Sequence, residues 1–204
     1  MSRLGPVFRH AAGAGGAAPK PLQLLMVWPE SRLASPPEAR VPAGYRLRQY
    51  RPEDREGYLR LMARAGFKDW TGAQLDRELN CILPGGFFVI EPAAGGAVVA
   101  TARAAHNPGG NRPFAGALHW VAADPDHAGR GLGRAAAAAA AALLLARGYR
   151  RIQLLTDDWR LPALKIYLTM GFVPALCAPD MAERWRVVCG KLGHAFAPGE
   201  WPGE

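Results

Sequence analysis

The chain has 204 residues, half of them apolar, with 25 Lys+Arg against 17 Asp+Glu and a formal net charge of +8. That length suits one domain with an extension, and the apolar half is enough to build a full core. The basic residues are scattered Arg without a basic block, which argues against a nucleic-acid footprint, and no apolar run approaches the ~18 residues of a membrane helix. Cys81, Cys177 and Cys189 are odd in number, far apart and without metal-ligand spacing. They read as reduced thiols of a cytoplasmic protein, with no metal site.

In chain order, residues 1–20 read as a disordered tail, because their Ala/Gly stretch is too broken for a signal peptide. Residues 21–43 form an N-terminal extension. Leu22 to Trp28 is apolar enough for a strand that packs on the core, and Pro29 begins a proline-rich arm. The main domain is expected over 44–192, with 193–204 a loose tail. Gly44 to Tyr50 alternates and predicts a strand. Pro52 with Glu53 and Asp54 opens a helix that Gly66 ends, and Thr71 caps a second helix through Leu79. The aromatics between them, Phe67 and Trp70, read equally well as core and as the wall of a site. A hairpin follows, Gly86 to Glu91 and Ala97 to Ala105, then a turn over Asn107 to Pro113. Arg184 to Cys189 predicts a final strand.

The most informative stretch runs from Leu118 to Phe172. Leu118 to Ala123 predicts a buried strand, and a glycine-rich turn, Gly129-Arg130-Gly131-Leu132-Gly133-Arg134, follows it. A helix through a run of eight alanines and three leucines leads to Gly148, and Arg151 to Thr156 predicts a second strand, parallel to the first. A short helix starting near Arg160 ends at Gly171. Alternating glycines open the backbone to a ligand, and a helix N-terminus adds unpaired amides and a positive dipole end, a combination suited to a phosphate or pyrophosphate. Arg130 and Arg134 add cationic donors. The spacing is not that of a P-loop, where Gly-Lys-Ser/Thr is needed, nor of a dinucleotide fingerprint.

The run Asp124 to Arg134 resembles the acetyl-CoA pyrophosphate loop of the GNAT superfamily of N-acyltransferases, Gln/Arg-x-x-Gly-x-Gly/Ala. Ala128 stands where that pattern has a basic or amide side chain. A second segment, Arg160, Ala163, Tyr167, Gly171 and Phe172, falls at the spacing of the family's Asn-x-x-Ala-x-x-x-Tyr-x-x-x-Gly-Phe, with Arg160 in place of Asn. His119-Trp120-Val121 and Thr156-Asp157-Asp158 are similar to its mycothiol-synthase-like branch. The resemblance implies a GNAT fold of α/β class (α+β, a mixed central sheet with helices on both faces). It implies acetyl-CoA as cosubstrate and transfer of an acetyl group to an amine of a small molecule or protein, with neither nucleic acid nor membrane as partner and with room for a homodimer. It further implies that Val121, Ala122 and Ala123 offer backbone groups to the pantetheine arm. Gly129, Arg130, Gly131, Leu132, Gly133, Arg134 and Arg160 would then hold the cofactor, and Tyr167 would be the general acid. For the base, His119 is the first candidate by chemistry, with Glu91 and Asp157 as alternatives. The competing reading is a GNAT-fold scaffold that binds CoA without turnover.

Overall fold

The computed structural model describes residues 22–107 and 115–201. The expected tail at 1–20 and most of the turn after Asn107 lie outside those residues. Seven strands, β1 (Leu24–Val27), β2 (Tyr45–Gln49), β3 (Ile82–Pro92), β4 (Ala100–Asn107), β5 (Ala115–Ala123), β6 (Ile152–Thr156) and β7 (Val173–Ala175), form one sheet in the order β2-β3-β4-β5-β6-β1-β7. All neighbours are antiparallel except β5 and β6, which the crossover through α3 makes parallel. The helices are α1 (Arg55–Arg64), α2 (Gly72–Leu79), α3 (Leu132–Ala146), α4 (Leu161–Met170) and α5 (Met181–Leu192).

The strands sort their side chains by parity, and so the sheet has two cores. Phe87 and Val89 of β3 join Tyr58, Leu61 and Met62 of α1 and Leu75 of α2 on one face. Ile90 of β3 and Ala100, Ala102 and Ala104 of β4 join α3 and α4 on the other. Helix α3 is buried almost all round, from Leu132 to Ala141, and alanine lets it sit close to the sheet. The approach is tightest at Gly116, where an added Cβ would lie 2.7 Å from Leu144 Cδ2. Thr71 caps α2 with a capping box to Gln74, as its sequence position predicts.

One expectation is made specific and two are corrected. The apolar segment near the N-terminus is a strand in the core, as expected, and it lies within the sheet itself. β1 pairs with β6 on one side and β7 on the other, and all four of its residues are buried. Arg184 to Cys189 is helical, within α5. Met181, Trp185, Val188 and Cys189 are its buried residues, at the spacing of one helical face. The last strand is instead the three-residue β7, at the sheet edge where its Pro174 is tolerated. The segment His194 to Trp201, read as a tail, carries Phe196 and Trp201 back onto the core. Their rings are 5.3 Å apart, and Trp201 lies 6.1 Å from Trp185. Among the described residues no helix is long and apolar enough to cross a membrane.

Candidate functional site

The glycine-rich turn joins the end of β5 to α3. Asp124 starts it by accepting the Asp126 amide at 3.0 Å. Arg64, at the end of α1, grips the Asp124 carboxylate with Nε and Nη2 at 2.9 and 2.8 Å and so fixes where the turn begins. That guanidinium holds the Asp124 carboxyl below the usual range. Gly129 and Gly131 have φ of +75° and +77°, a left-handed conformation that requires glycine here. A Cβ at either would meet nothing within 4 Å, so the space before them is open. Among the described residues Gly129, Arg130 and Gly131 donate no backbone hydrogen bond in the turn. The first-turn amides of α3, at Leu132, Gly133 and Arg134, have no helical acceptor. Six successive free amides at a helix N-terminus fit a pyrophosphate. Arg134 is half-buried, without an ion pair among the described residues. Arg130 is engaged: its Nη1 donates to the Tyr45 hydroxyl at 2.8 Å, and that oxygen lies 2.8 Å from His127 Nδ1.

Beside this turn the sheet splits. β5 and β6 pair only at Gly116↔Ile152 and Ala117↔Gln153, so the backbone of β5 from Leu118 through Val121, Ala122 and Ala123 faces a gap toward β6. On its other side β5 stays on β4, but the register shifts between Thr101↔Ala122 and Arg103↔His119. The irregularity coincides with Trp120, whose φ of +50° is the one positive value for a non-glycine among the described residues. The bulge turns Trp120 onto the α1–α2 face, where its ring lies 3.9 Å from Trp70 and 5.5 Å from Phe67.

Tyr167, on α4, is 6% exposed and packs edge-on against Phe172 at 6.2 Å. Burial pushes its hydroxyl well above the usual tyrosine range, opposed by Arg160. Arg160 precedes α4, with Pro162 in the first turn. It pairs with Asp157 at 3.1 Å and lays its guanidinium 4.2 Å from the Phe67 and Trp159 ring centres, which ties α4 to the α1–α2 loop. Asp158 pairs with Arg184 of α5 at 2.9 and 2.5 Å.

His119 belongs to a different cluster. Its Nδ1 is buried without a hydrogen bond, 3.9 Å from Glu78 Oε2. Burial lowers its pKa to about 4; Glu78 opposes that shift and Arg103 reinforces it. The imidazole is therefore neutral at pH 7. The other two carboxylates considered as bases are committed. Glu91 is buried between Arg46 and Arg48, and Asp157 holds Arg160 and Gln23. Glu78, which no motif marks, is the carboxylate that reaches the bulge. It accepts from Trp120 Nε1 at 3.0 Å and is one-third exposed. The only advance sign was a Glu near the end of a helix whose partner strands lie over twenty residues further on.

A sequence profile of the acetyltransferase (GNAT) family matches residues 46–172. Two curated relatives are mycothiol acetyltransferases. The one from Thermobispora bispora is 35% identical over 148 residues, covering 67% of this chain and 49% of its own length. The one from Saccharomonospora viridis is 32% identical over 164 residues, 74% of this chain and 53% of its own. The chain thus spans about half the length of these relatives. A crystal structure of a GCN5-related N-acetyltransferase from Sphaerobacter thermophilus superposes with a TM-score of 0.53 at 20% identity, over 76% of this chain and 49% of that one. The likeness to it is one of fold.

Proposed function

The chain belongs to the acetyltransferase (GNAT) family, and from that premise we propose that it is an acetyl-CoA-dependent N-acetyltransferase acting on an amine of a small molecule or protein. The observation that carries this reading is the run of free amides from Gly129 to Arg134 beside the split between β5 and β6. Acetyl-CoA supplies an activated thioester when bound. The amides and Arg134 hold its pyrophosphate, and the open backbone of Val121 to Ala123 accepts the pantetheine amides in place of a β6 partner. Arg160, held between Phe67 and Asp157 just after β6, would serve the same cofactor.

Tyr167 keeps its proton at neutral pH because burial disfavours the phenolate. It is the donor for the departing sulfur, whose basicity the same dry surroundings raise. His119, neutral at pH 7, and Glu78 are the groups on the opposite face able to take a proton from the amine. A cytoplasmic setting without membrane or nucleic-acid partners goes with this reading. A scaffold that binds CoA without turnover would share the loop but would have no use for the donor at Tyr167.

Gly131→Glu tests the cofactor site. It places a strained residue and a negative charge where the pyrophosphate belongs. Acetyl-CoA should raise the melting temperature of the wild type and leave the variant unmoved. Equal stabilisation of both would overturn the assignment. Release of free thiol from acetyl-CoA across a panel of amines separates enzyme from scaffold.

A further inference from the structure

On the α1–α2 face a group of buried polar side chains is poorly partnered. Arg103 is fully buried, and its Nε, Nη1 and Nη2 make no hydrogen bond of normal geometry among the described residues, nor do His119 Nδ1, Trp70 Nε1 and Tyr58 Oη, although the Tyr58 hydroxyl lies close enough to act on the guanidinium. They lie together. The Arg103 guanidinium carbon is 5.2 to 5.9 Å from the ring centres of Tyr58, Trp70, Phe87 and Trp120. His119 is its cross-strand neighbour on β5. The nearest anion, Glu78 Oε2, stands 3.9 Å from Arg103 Nη2, beyond hydrogen-bonding reach, and is already held by Trp120.

Burying an ion is costly unless it is paired. The four rings offset part of that cost through cation–π attraction. They satisfy the charge but none of the guanidinium N–H groups, which need oxygen. A carboxylate matches the guanidinium fork with two parallel bonds. Glu78 beside the same fork disfavours a doubly charged phosphate but favours a cation. The pair therefore presents one positive and one negative group side by side, the complement of an amino acid.

We propose that the acceptor is an amine that bears its own carboxylate, with the carboxylate seated on Arg103 and the ammonium beside Glu78. No Arg103 nitrogen is accessible in this structure, so the ligand must displace the side chains over it, entering beside the one-third-exposed Glu78 and His119. The ring cage then surrounds the carboxylate, and the amine lies on the side of the Trp120 bulge, toward the gap between β5 and β6. That the ligand is an acetyl acceptor rests on the transferase reading above, whereas the carboxylate site itself rests on the orphaned donors alone.

The test uses the full chain and pairs of ligands that differ only in the carboxylate. The twenty common α-amino acids, β-alanine and γ-aminobutyrate are each titrated beside the corresponding carboxamide, with binding followed by the fluorescence of the cage tryptophans. The proposal expects at least one acid to bind about tenfold or more tighter than its amide, and Arg103→Met to erase that preference. Amides that bind as well as every acid, the absence of acid binding up to millimolar concentration, or a preference that survives in Arg103→Met would each overturn it. If Arg103→Met does not fold, the wild-type acid–amide comparison alone decides. Thiol release is measured in parallel. Amines acetylated without preference for a carboxylate would sink this proposal and leave the transferase standing. A carboxylate preference in binding without thiol release would keep the site and remove the transferase reading.

Discussion

The two faces that meet at β5 are built on opposite terms. On the α3 side the candidate site is backbone: six amides, two left-handed glycines, and a helix whose alanines keep it close to the sheet. On the α1–α2 side it is side chain. Arg103, His119 and Glu78 stand among Tyr58, Trp70, Phe87 and Trp120, drawn from five separate elements and one loop. A backbone site suits a ligand that does not vary, since substitution of side chains around it changes little. A side-chain site can be remade for each acceptor without touching the cofactor.

That contrast is tested most severely at Tyr167, the proposed proton donor, which would act by its side chain within the proposed cofactor half. Tyr167→Phe keeps the packing on Phe172 and removes the proton. Turnover should fall by about 10²–10⁴-fold while affinity for CoA holds. Activity within a factor of two of wild type would make Tyr167 a packing residue. A smaller effect is expected from Arg130→Ala combined with Arg134→Ala. If the backbone dominates, CoA binding should survive, weakened by about 1–3 kcal/mol for the lost charge-assisted contacts. Calorimetric titration at low salt reads this, and complete loss of binding would mean that the loop relies on side chains after all.

The smallest effect concerns His119 and pH. Its folded pKa of about 4 lies below the ordinary 6.5, so between those values the unfolded chain binds the extra proton. Its contribution to stability is full above pH 6.5 and declines as the pH falls toward 4. His119→Asn should therefore show a shallower drop in melting temperature from pH 7 to 5 than the wild type. Identical slopes would mean that the imidazole is not held neutral.

The same contrast explains what the sequence made legible. The glycine turn and α3 could be read because left-handed φ and close helix packing tie particular residues to adjacent positions. Gly131, Gly148 and Gly171 all have positive φ, at the start of α3, just past its end and at the end of α4. Glu78 and Arg103 could not be read, because their proximity arises only when α2 is laid over β4 and β5. Glu91 looked like a free carboxylate until β2 brought Arg46 and Arg48 against it. The run from Arg184 to Cys189 resembled a strand through Val187, Val188 and Cys189, yet the helical spacing of Met181, Trp185 and Val188 won. β1 read as a strand, but only the fold could say that it fills the slot between β6 and β7.

Amide hydrogen exchange with and without acetyl-CoA tests the division of labour most directly. Acetyl-CoA should slow exchange at Gly129 to Arg134 and at the unpaired edge of β5 from Val121 to Ala123, and leave α2 unchanged. Protection confined to α1 and α2, with the glycine turn exchanging as fast as in the free protein, would contradict it.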